Sequence, residues 1–166
     1  MFDYHNPGKS SISIEDIARP LANNCRFAGH LPRHYSIAQH AVNVSRLVPA
    51  GFEFTGLMHD TSEAFTNDIT TPLKQVIPGF KDLETSIETE MSRQFRFQFP
   101  LPDCVKLADL QMLLLEKEEI KRDFNHWAVL DGVTVTPEER ARVCLDPLNP
   151  DQAYQLFMER FYELAA

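Results

Sequence analysis

Residues 57–63 (Leu-Met-His-Asp-Thr-Ser-Glu) bring together three side chains that can bind a metal ion or activate water. His59 and Asp60 are adjacent, and Glu63 follows three residues later. In a helix, Glu63 would lie one turn from both, because residues three and four apart share a face. Imidazole and carboxylate groups bind divalent zinc, manganese, cobalt or iron, and a carboxylate that does not ligate the metal can act as the base for a metal-bound water. A chain with six histidines and 24 acidic residues can also produce such a pair by chance.

The composition indicates one globular domain over residues 1–166. The chain is 43% hydrophobic and 24% charged, and its length suffices for a single core. A formal charge of −8 argues against a nucleic-acid polymer or a membrane surface as partner, since both require a basic face. The cysteines are widely spaced, as expected of free thiols in a reducing compartment: Cys25, Cys104 and Cys144. We find no membrane-length apolar stretch and no signal-peptide pattern, and therefore expect a cytoplasmic protein.

Helical periodicity dominates the chain and predicts an all-α fold. Capping residues predict helices that begin after Ser13, Ser36 and Asn149. Asp82 is predicted to cap a scaffold helix that ends near residue 95 and turns its charged face outward, and residues 66–72 are predicted to be a polar loop. The segment that begins near Asp103 is apolar on most sides, which favours a position in the centre of a bundle.

Two further candidate ligands lie on other predicted helices. Asp109 is inside the apolar helix, and acids are rarely buried unless they are paired or bound to a metal. His40 lies near the apolar side of the helix after Ser36, where a single histidine is often only half-buried and hydrogen-bonded. Three helices could present four ligands to one point, with room for water and a phosphate oxygen: His40, His59, Asp60 and Asp109.

These spaced residues resemble the His…His-Asp…Asp signature of the HD-domain metal-dependent phosphohydrolases. Residues 59–63, Asp68 and residues 71–74 are similar to the His-Asp-Ala-Ser-Glu…Gly-Asp…Thr-Pro-Val-Lys run of the bacterial 5′-deoxynucleotidases. Residues 25–30 and 35–40 look like the prophage branch, which is related to the phage dATP triphosphohydrolases. The similarity covers roughly residues 14–161.

The resemblance implies a single HD domain, a helical bundle that holds one divalent transition-metal ion (Mn, Co, Zn or Fe). The ligands would be His40, His59, Asp60 and Asp109. Glu63 would position or deprotonate the attacking water, and Asp68 would assist near the leaving group. The substrate-binding residues would be Arg26, Phe27, Lys74 and Lys106, with the three cations on phosphate.

The implied reaction releases phosphate or polyphosphate from 5′-deoxyribonucleotides, mono- or triphosphates, by attack of a metal-bound water. Relatives of this kind form dimers or larger homo-oligomers, so we expect a homo-oligomer here. Phe27 stands where the 5′-deoxynucleotidases have a tryptophan that helps to exclude ribonucleotides, which leaves deoxy-selectivity open.

Two alternatives remain. Guanosine-tetraphosphate hydrolases resemble this pattern but follow His-Asp with an adjacent Glu-Asp pair, whereas here Ala64 follows Glu63. A non-catalytic interaction protein could keep the fold and the ion. The presence of Glu63 together with the cationic residues favours an enzyme, although Lys74 and Lys106 would also fit as solvated surface lysines.

Overall fold

The computed structural model describes residues 2–165, and over this range helices joined by loops make up the architecture. The α-helices are α1 (Ile14–Asn23), α2 (Ile37–Leu47), α3 (Glu53–Met58), α4 (Glu63–Thr66), α5 (Thr71–Val76), α6 (Phe80–Phe95), α7 (Asp103–Leu115), α8 (Pro137–Arg140) and α9 (Pro150–Leu164). A π-helical segment, Glu116–Lys121, continues α7. Within residues 2–165, β pairing is limited to an isolated bridge between Cys25 and Ser36. The predicted all-α class is confirmed.

Capping side chains start three of the helices at the predicted places. Ser13 and Asn149 each form a reciprocal capping box, with Asp16 and Gln152 respectively. The hydroxyl of Ser36 accepts a hydrogen bond from the backbone N–H of Gln39 at 3.1 Å. Each cap satisfies a backbone donor that the first helical turn leaves unpaired, so these starts can be read from local sequence.

Helix α2 is the centre of the bundle. Every residue of α2 except Arg46 is buried, and its two sides contribute to two hydrophobic clusters. Ile37 and Val42 belong to the cluster that α1 and α9 share, whereas Val44 and Leu47 belong to the one shared with α7. The core therefore lies on both sides of this one helix.

The prediction that α7 occupies the centre was wrong. This helix buries one stripe, which includes Val105, Ala108, Met112 and Leu115, against α2. Its opposite side faces outward, and Leu107 is 50% exposed. Apolar residues all around a helix do not specify which face is buried, and here only the stripe at helical spacing packs inward.

Gly56 allows α2 and α3 to approach closely. A Cβ at this position would lie 3.2 Å from the Cα of Ser45 and 3.3 Å from both methyl carbons of Val48. This approach brings His40 on α2 next to His59 at the end of α3, with 5.3 Å between the ring centroids.

Three local expectations are corrected. Residues 57–63 do not form one helix, because α3 ends at Met58 and a turn separates it from α4, whose first residue is Glu63. The predicted loop at 66–72 gives way at Thr71 to helix α5, which carries Pro72 in its first turn, where a missing N–H costs nothing. Helix α6 begins at Phe80, ahead of Asp82. Among residues 2–165, no helix has the length and apolarity that a membrane crossing requires.

Candidate metal centre

Three of the four predicted ligands meet at one point. Ligand atoms of His40, His59 and Asp109 lie within 4.8 Å of one another. They come from α2, from the residue that follows α3, and from α7. Both imidazoles are buried, while the side chain of Asp109 is 39% exposed. The cluster therefore lies at the edge of the core, with its carboxylate on the solvent side.

Hydrogen bonds on the far side of each ring orient both imidazoles toward the cluster. Nδ1 of His40 donates to Oε1 of Glu116 at 2.6 Å, and Nδ1 of His59 donates to the carbonyl oxygen of Gly56 at 2.8 Å. A carbonyl or ionised carboxylate only accepts, so each Nδ1 carries the proton. Nε2 of both rings is buried and forms no hydrogen bond within the described residues. Two Nε2 lone pairs directed at one point are the arrangement of metal-ligating histidines.

Asp60 lies beside the three-residue cluster. Its Oδ2 is 3.1 Å from Nε2 of His59 and 3.6 Å from Nε2 of His40. Nη1 of Arg26 is 3.8 Å from the same oxygen. Asp60 does not belong to the group whose ligand atoms all lie within 4.8 Å, yet it faces both imidazoles. The predicted set of two histidines and two carboxylates is thus assembled, with Asp60 as its looser member.

The charges of the cluster are mutually dependent. Burial alone would lower the pKa of His59, but Asp60 and Asp109 outweigh it and hold that pKa well above the usual value. Partial loss of hydration would likewise raise the pKa of Asp109, but the two imidazoles hold it well below the usual value. A cation bound between these groups would take the place of the imidazole protons.

Glu63 and its neighbours form the second part of the site. Glu63 is buried, and its Oε2 forms no hydrogen bond within the described residues. Burial and the charges of Asp60 and Asp68 raise the pKa of its carboxyl group well above the usual value. Nζ of Lys74 lies 3.7 Å from Oε1 of Glu63 and also pairs with Glu84. Lys74 thus contacts Glu63, and Asp68 is near enough for its charge to act on the same carboxyl group.

Glu116 is a site residue that the sequence analysis missed. It is fully buried, and its Oε2 accepts hydrogen bonds from Nε and Nη2 of Arg26, both at 3.3 Å, while Oε1 accepts from His40. Burial would raise the pKa of this carboxyl group, but His40 and Arg26 lower it. In the sequence, Glu116 opens the run Glu-Lys-Glu-Glu, which is typical of a solvated face.

Two predicted substrate-binding residues differ in their placement. Phe27 follows Arg26 directly, and the Cζ atom of Arg26 lies 5.7 Å from the centroid of the phenyl ring. Lys106, in contrast, has a side chain that is 58% exposed, and its ammonium pairs with Asp103 at 3.1 Å. Lys106 lies on α7 one turn before Asp109, but the structure gives it a surface partner instead of a place among the cluster residues.

Helix α6 turns only part of its charged face outward: Lys81, Asp82 and Arg93 are exposed as predicted, whereas some of its acidic residues are partly buried. Glu84 pairs with Lys74, and the side chain of Glu84 is 19% exposed. Glu88, one turn later, is partly buried. Burial and the charges of Glu84 and Asp60 raise the pKa of Glu88 to about 7. Glu84 and Glu88 are four residues apart, which predicts that they share one face of the helix. The sequence alone does not show whether that face is buried or exposed.

The fold and the site define a helical protein with a candidate metal centre beside a buried glutamate. The chain is 44% identical to the uncharacterized protein YfdR of Escherichia coli over 165 residues, which cover 99% of this chain and 90% of YfdR. It is 30% identical to an uncharacterized protein of Rhodobacter capsulatus over 132 residues, 71% of this chain and 67% of that protein. No family model matches the chain. The protein belongs to the YfdR family.

The contact between Glu116 and His40 predicts a role in metal affinity. The substitution Glu116→Gln keeps the shape but removes the charge that strengthens His40 as a ligand, so we expect affinity for Mn²⁺ to fall by about 10- to 100-fold. Titration calorimetry on chelator-treated protein measures this. Glu119→Gln is the matched control, because Glu119 lies on the same segment and pairs with Arg140 at the surface. Equal affinities in both variants would contradict the role of Glu116.

The raised pKa of Glu88 predicts a pH-dependent stability. With a pKa of about 7 when folded and about 4.3 when unfolded, this carboxyl group binds more protons in the folded state between those values. Its contribution to stability therefore falls as the pH rises through this window. Compared with wild type, Glu88→Gln should melt at nearly the same temperature at pH ~5 and about 2–4 °C higher at pH ~8, since solvent screening of this partly exposed carboxyl group reduces the effect of its pKa difference to ~1 kcal/mol.

Thermal denaturation of the metal-free protein at both pH values tests this expectation. The control is Glu159→Gln, which changes an exposed acid in the middle of α9. If Glu88→Gln changes the melting temperature equally at both pH values, Glu88 does not titrate in this window.

Proposed function

We propose that this protein is an HD-domain metal-dependent phosphohydrolase that releases phosphate or polyphosphate from 5′-deoxyribonucleotides. One observation carries the proposal: the Nε2 atoms of His40 and His59, each held by a hydrogen bond at Nδ1, face Asp109 beside a buried glutamate. This arrangement matches the order of ligands in the HD signature that the sequence resembles.

The donor set fits a divalent transition-metal ion. Nitrogen and carboxylate donors suit manganese, iron, cobalt or zinc, and His40, His59, Asp60 and Asp109 would hold the ion. When bound, such an ion polarises a phosphoryl oxygen and lowers the pKa of a coordinated water. The hydrogen bonds from Nδ1 to Glu116 and Gly56 keep the two imidazoles in the tautomer that binding requires.

Glu63 has the properties of the group that takes the proton from the attacking water. A catalytic carboxyl group works best when its pKa lies nearer neutral pH than that of a free carboxyl. Burial and the charges of Asp60 and Asp68 shift the pKa of Glu63 in that direction. Lys74, 3.7 Å away, keeps the ionised form accessible. Asp68 adds the second carboxylate, near the leaving group.

Arg26 would bind the phosphate. Nε and Nη2 of its guanidinium are engaged by Glu116, which leaves Nη1 on the side of Asp60. A planar guanidinium held on one edge can offer the other edge to a phosphoryl oxygen. Charge that develops on a transferring phosphoryl group needs fixed cations of this kind, and in a chain of net charge −8 they must be supplied locally.

Phosphate release from deoxynucleotides tests the proposal. Chelator-treated protein is supplied with Mn²⁺ or Co²⁺ and offered mono- and triphosphates of the four common bases, and the matching ribonucleotides test sugar selectivity. We expect metal-dependent release from at least one deoxynucleotide and none in the chelated sample. Absence of release from every substrate with every metal would contradict the proposal.

The role of Glu63 is tested in the same assay. Glu63→Gln should lower kcat by about 10²- to 10⁴-fold, the usual loss when a general acid–base group is removed. Its affinity for Mn²⁺ should stay near that of wild type, because Glu63 is not among the proposed ligands. Glu159→Gln again serves as the matched control. A kcat in Glu63→Gln equal to that of wild type would remove Glu63 from the mechanism.

A further inference from the structure

An aromatic pair lies next to the candidate metal centre. The rings of Phe27 and Trp127 meet edge to face, with 6.1 Å between their centroids and 67° between their planes. Both side chains are partly buried. Trp127 is the single tryptophan of the chain. We call this pair the aromatic platform.

Three cations lie over the rings of the aromatic platform. Nζ of Lys121 lies 5.5 Å from the centroid of Phe27, Cζ of Arg26 lies 5.7 Å from the same centroid, and Nζ of Lys117 lies 5.7 Å from the Trp127 ring. Lys117 is buried, and one of its three N–H donors is used on the carbonyl oxygen of Asp123 at 2.7 Å. Aromatic rings together with neighbouring cations suit a ligand that is both planar and anionic.

One segment connects the aromatic platform to the metal centre. The π-helical segment presents Glu116 to His40, Lys117 to Trp127 and Lys121 to Phe27. Short π-helical stretches of this kind are frequent at functional sites. Arg26 provides a second connection, since its guanidinium is 3.8 Å from Asp60 and 5.7 Å from the centroid of Phe27. A ligand whose phosphate reaches Arg26 would therefore have its other end beside the platform.

The backbone at Phe27 is held in an unfavourable conformation. Phe27 has φ 57° and Ala28 has φ 50°, so two consecutive residues with side chains adopt the left-handed region. Such conformations persist only where the surroundings enforce them, and they are concentrated at ligand-binding positions. The bridge between Cys25 and Ser36 closes the base of this loop, which fixes the ring of Phe27 next to Arg26.

We propose that the aromatic platform, with Lys117 and Lys121, is the subsite that holds the base of the nucleotide, and that Trp127 is its stacking residue. This inference rests on the proposed function, in which Arg26 binds the phosphate of the nucleotide. Stacking uses the face of the base, which every base has, so the subsite accepts purines and pyrimidines alike.

Fluorescence of Trp127 reports the subsite directly, because no other tryptophan contributes. The probe is deoxyadenosine monophosphate, added in the presence of a chelator so that no turnover occurs. We expect saturable quenching, corrected with free N-acetyltryptophanamide. Deoxyribose 5-phosphate, which lacks the base, should quench far less. Equal quenching by the two probes, or no saturable quenching by the nucleotide, would overturn the inference.

Substitutions at Trp127 test whether its ring stacks on the base or only supports the fold. Trp127→Ala should weaken calorimetric binding of deoxyadenosine monophosphate by about 5- to 150-fold and leave binding of deoxyribose 5-phosphate unchanged. Trp127→Phe keeps an aromatic face and should restore most of the affinity. The control is Phe124→Leu, since Phe124 lies in the same loop and is 81% exposed. Wild-type nucleotide affinity in Trp127→Ala would overturn the inference.

The two proposals fail in different ways. Saturable quenching by the nucleotide without hydrolysis of any nucleotide in the presence of Mn²⁺ would support the aromatic platform and reject the proposed reaction. Hydrolysis with the same KM in wild type and in Trp127→Ala would support the reaction and reject the platform. Circular dichroism of both Trp127 variants establishes that they are folded. If Trp127→Ala is unfolded, the quenching titration of wild type and the affinity of Trp127→Phe decide the outcome.

Discussion

The site depends on the hydrogen bonds that hold two imidazoles from behind. A histidine ring can rotate and can carry its proton on either nitrogen, so two rings direct their lone pairs at one point only if both Nδ1 atoms are engaged elsewhere. For His59 the acceptor is a backbone carbonyl one turn earlier, at Gly56; for His40 it is the buried carboxylate of Glu116. The two acceptors come from different elements, α3 and the π-helical segment that continues α7, and both α3 and α7 pack against α2.

Burying Glu116 requires compensation for its charge. An isolated carboxylate in the core is strongly unfavourable, and Arg26 and His40 together supply the compensation. Arg26 in turn is buried and lies at the start of the loop that the Cys25–Ser36 bridge closes. The result is a connected polar network inside an apolar bundle, in which the guanidinium of Arg26 and the imidazole of His40 share one carboxylate. Loss of that carboxylate would affect both groups.

Much of this arrangement could be predicted from local sequence. The caps at Ser13, Ser36 and Asn149 act within one turn, so the helix starts that they predicted are confirmed. The convergence of His40, His59 and Asp109 was predicted from a spaced motif. The position of Glu116 could not be predicted, because an acidic run has the same pattern whether it faces solvent or the core, and only the packing of the π-helical segment against α2 decides. For the same reason, the sequence could not show which face of α7 is buried, and the prediction that α7 lies in the centre of the bundle was wrong.

The two converging imidazoles face two carboxylates, with Nε2 of His40 3.1 Å from Asp109 and Nε2 of His59 3.1 Å from Asp60, and a divalent cation would bind this donor set in place of the imidazole protons. Titration calorimetry of chelator-treated protein with Mn²⁺ tests this claim most directly. We expect saturable binding of a single ion per chain, with protons released on binding and affinity severely reduced in Asp109→Asn. Binding that does not saturate, or that is the same in Asp109→Asn as in wild type, would contradict it.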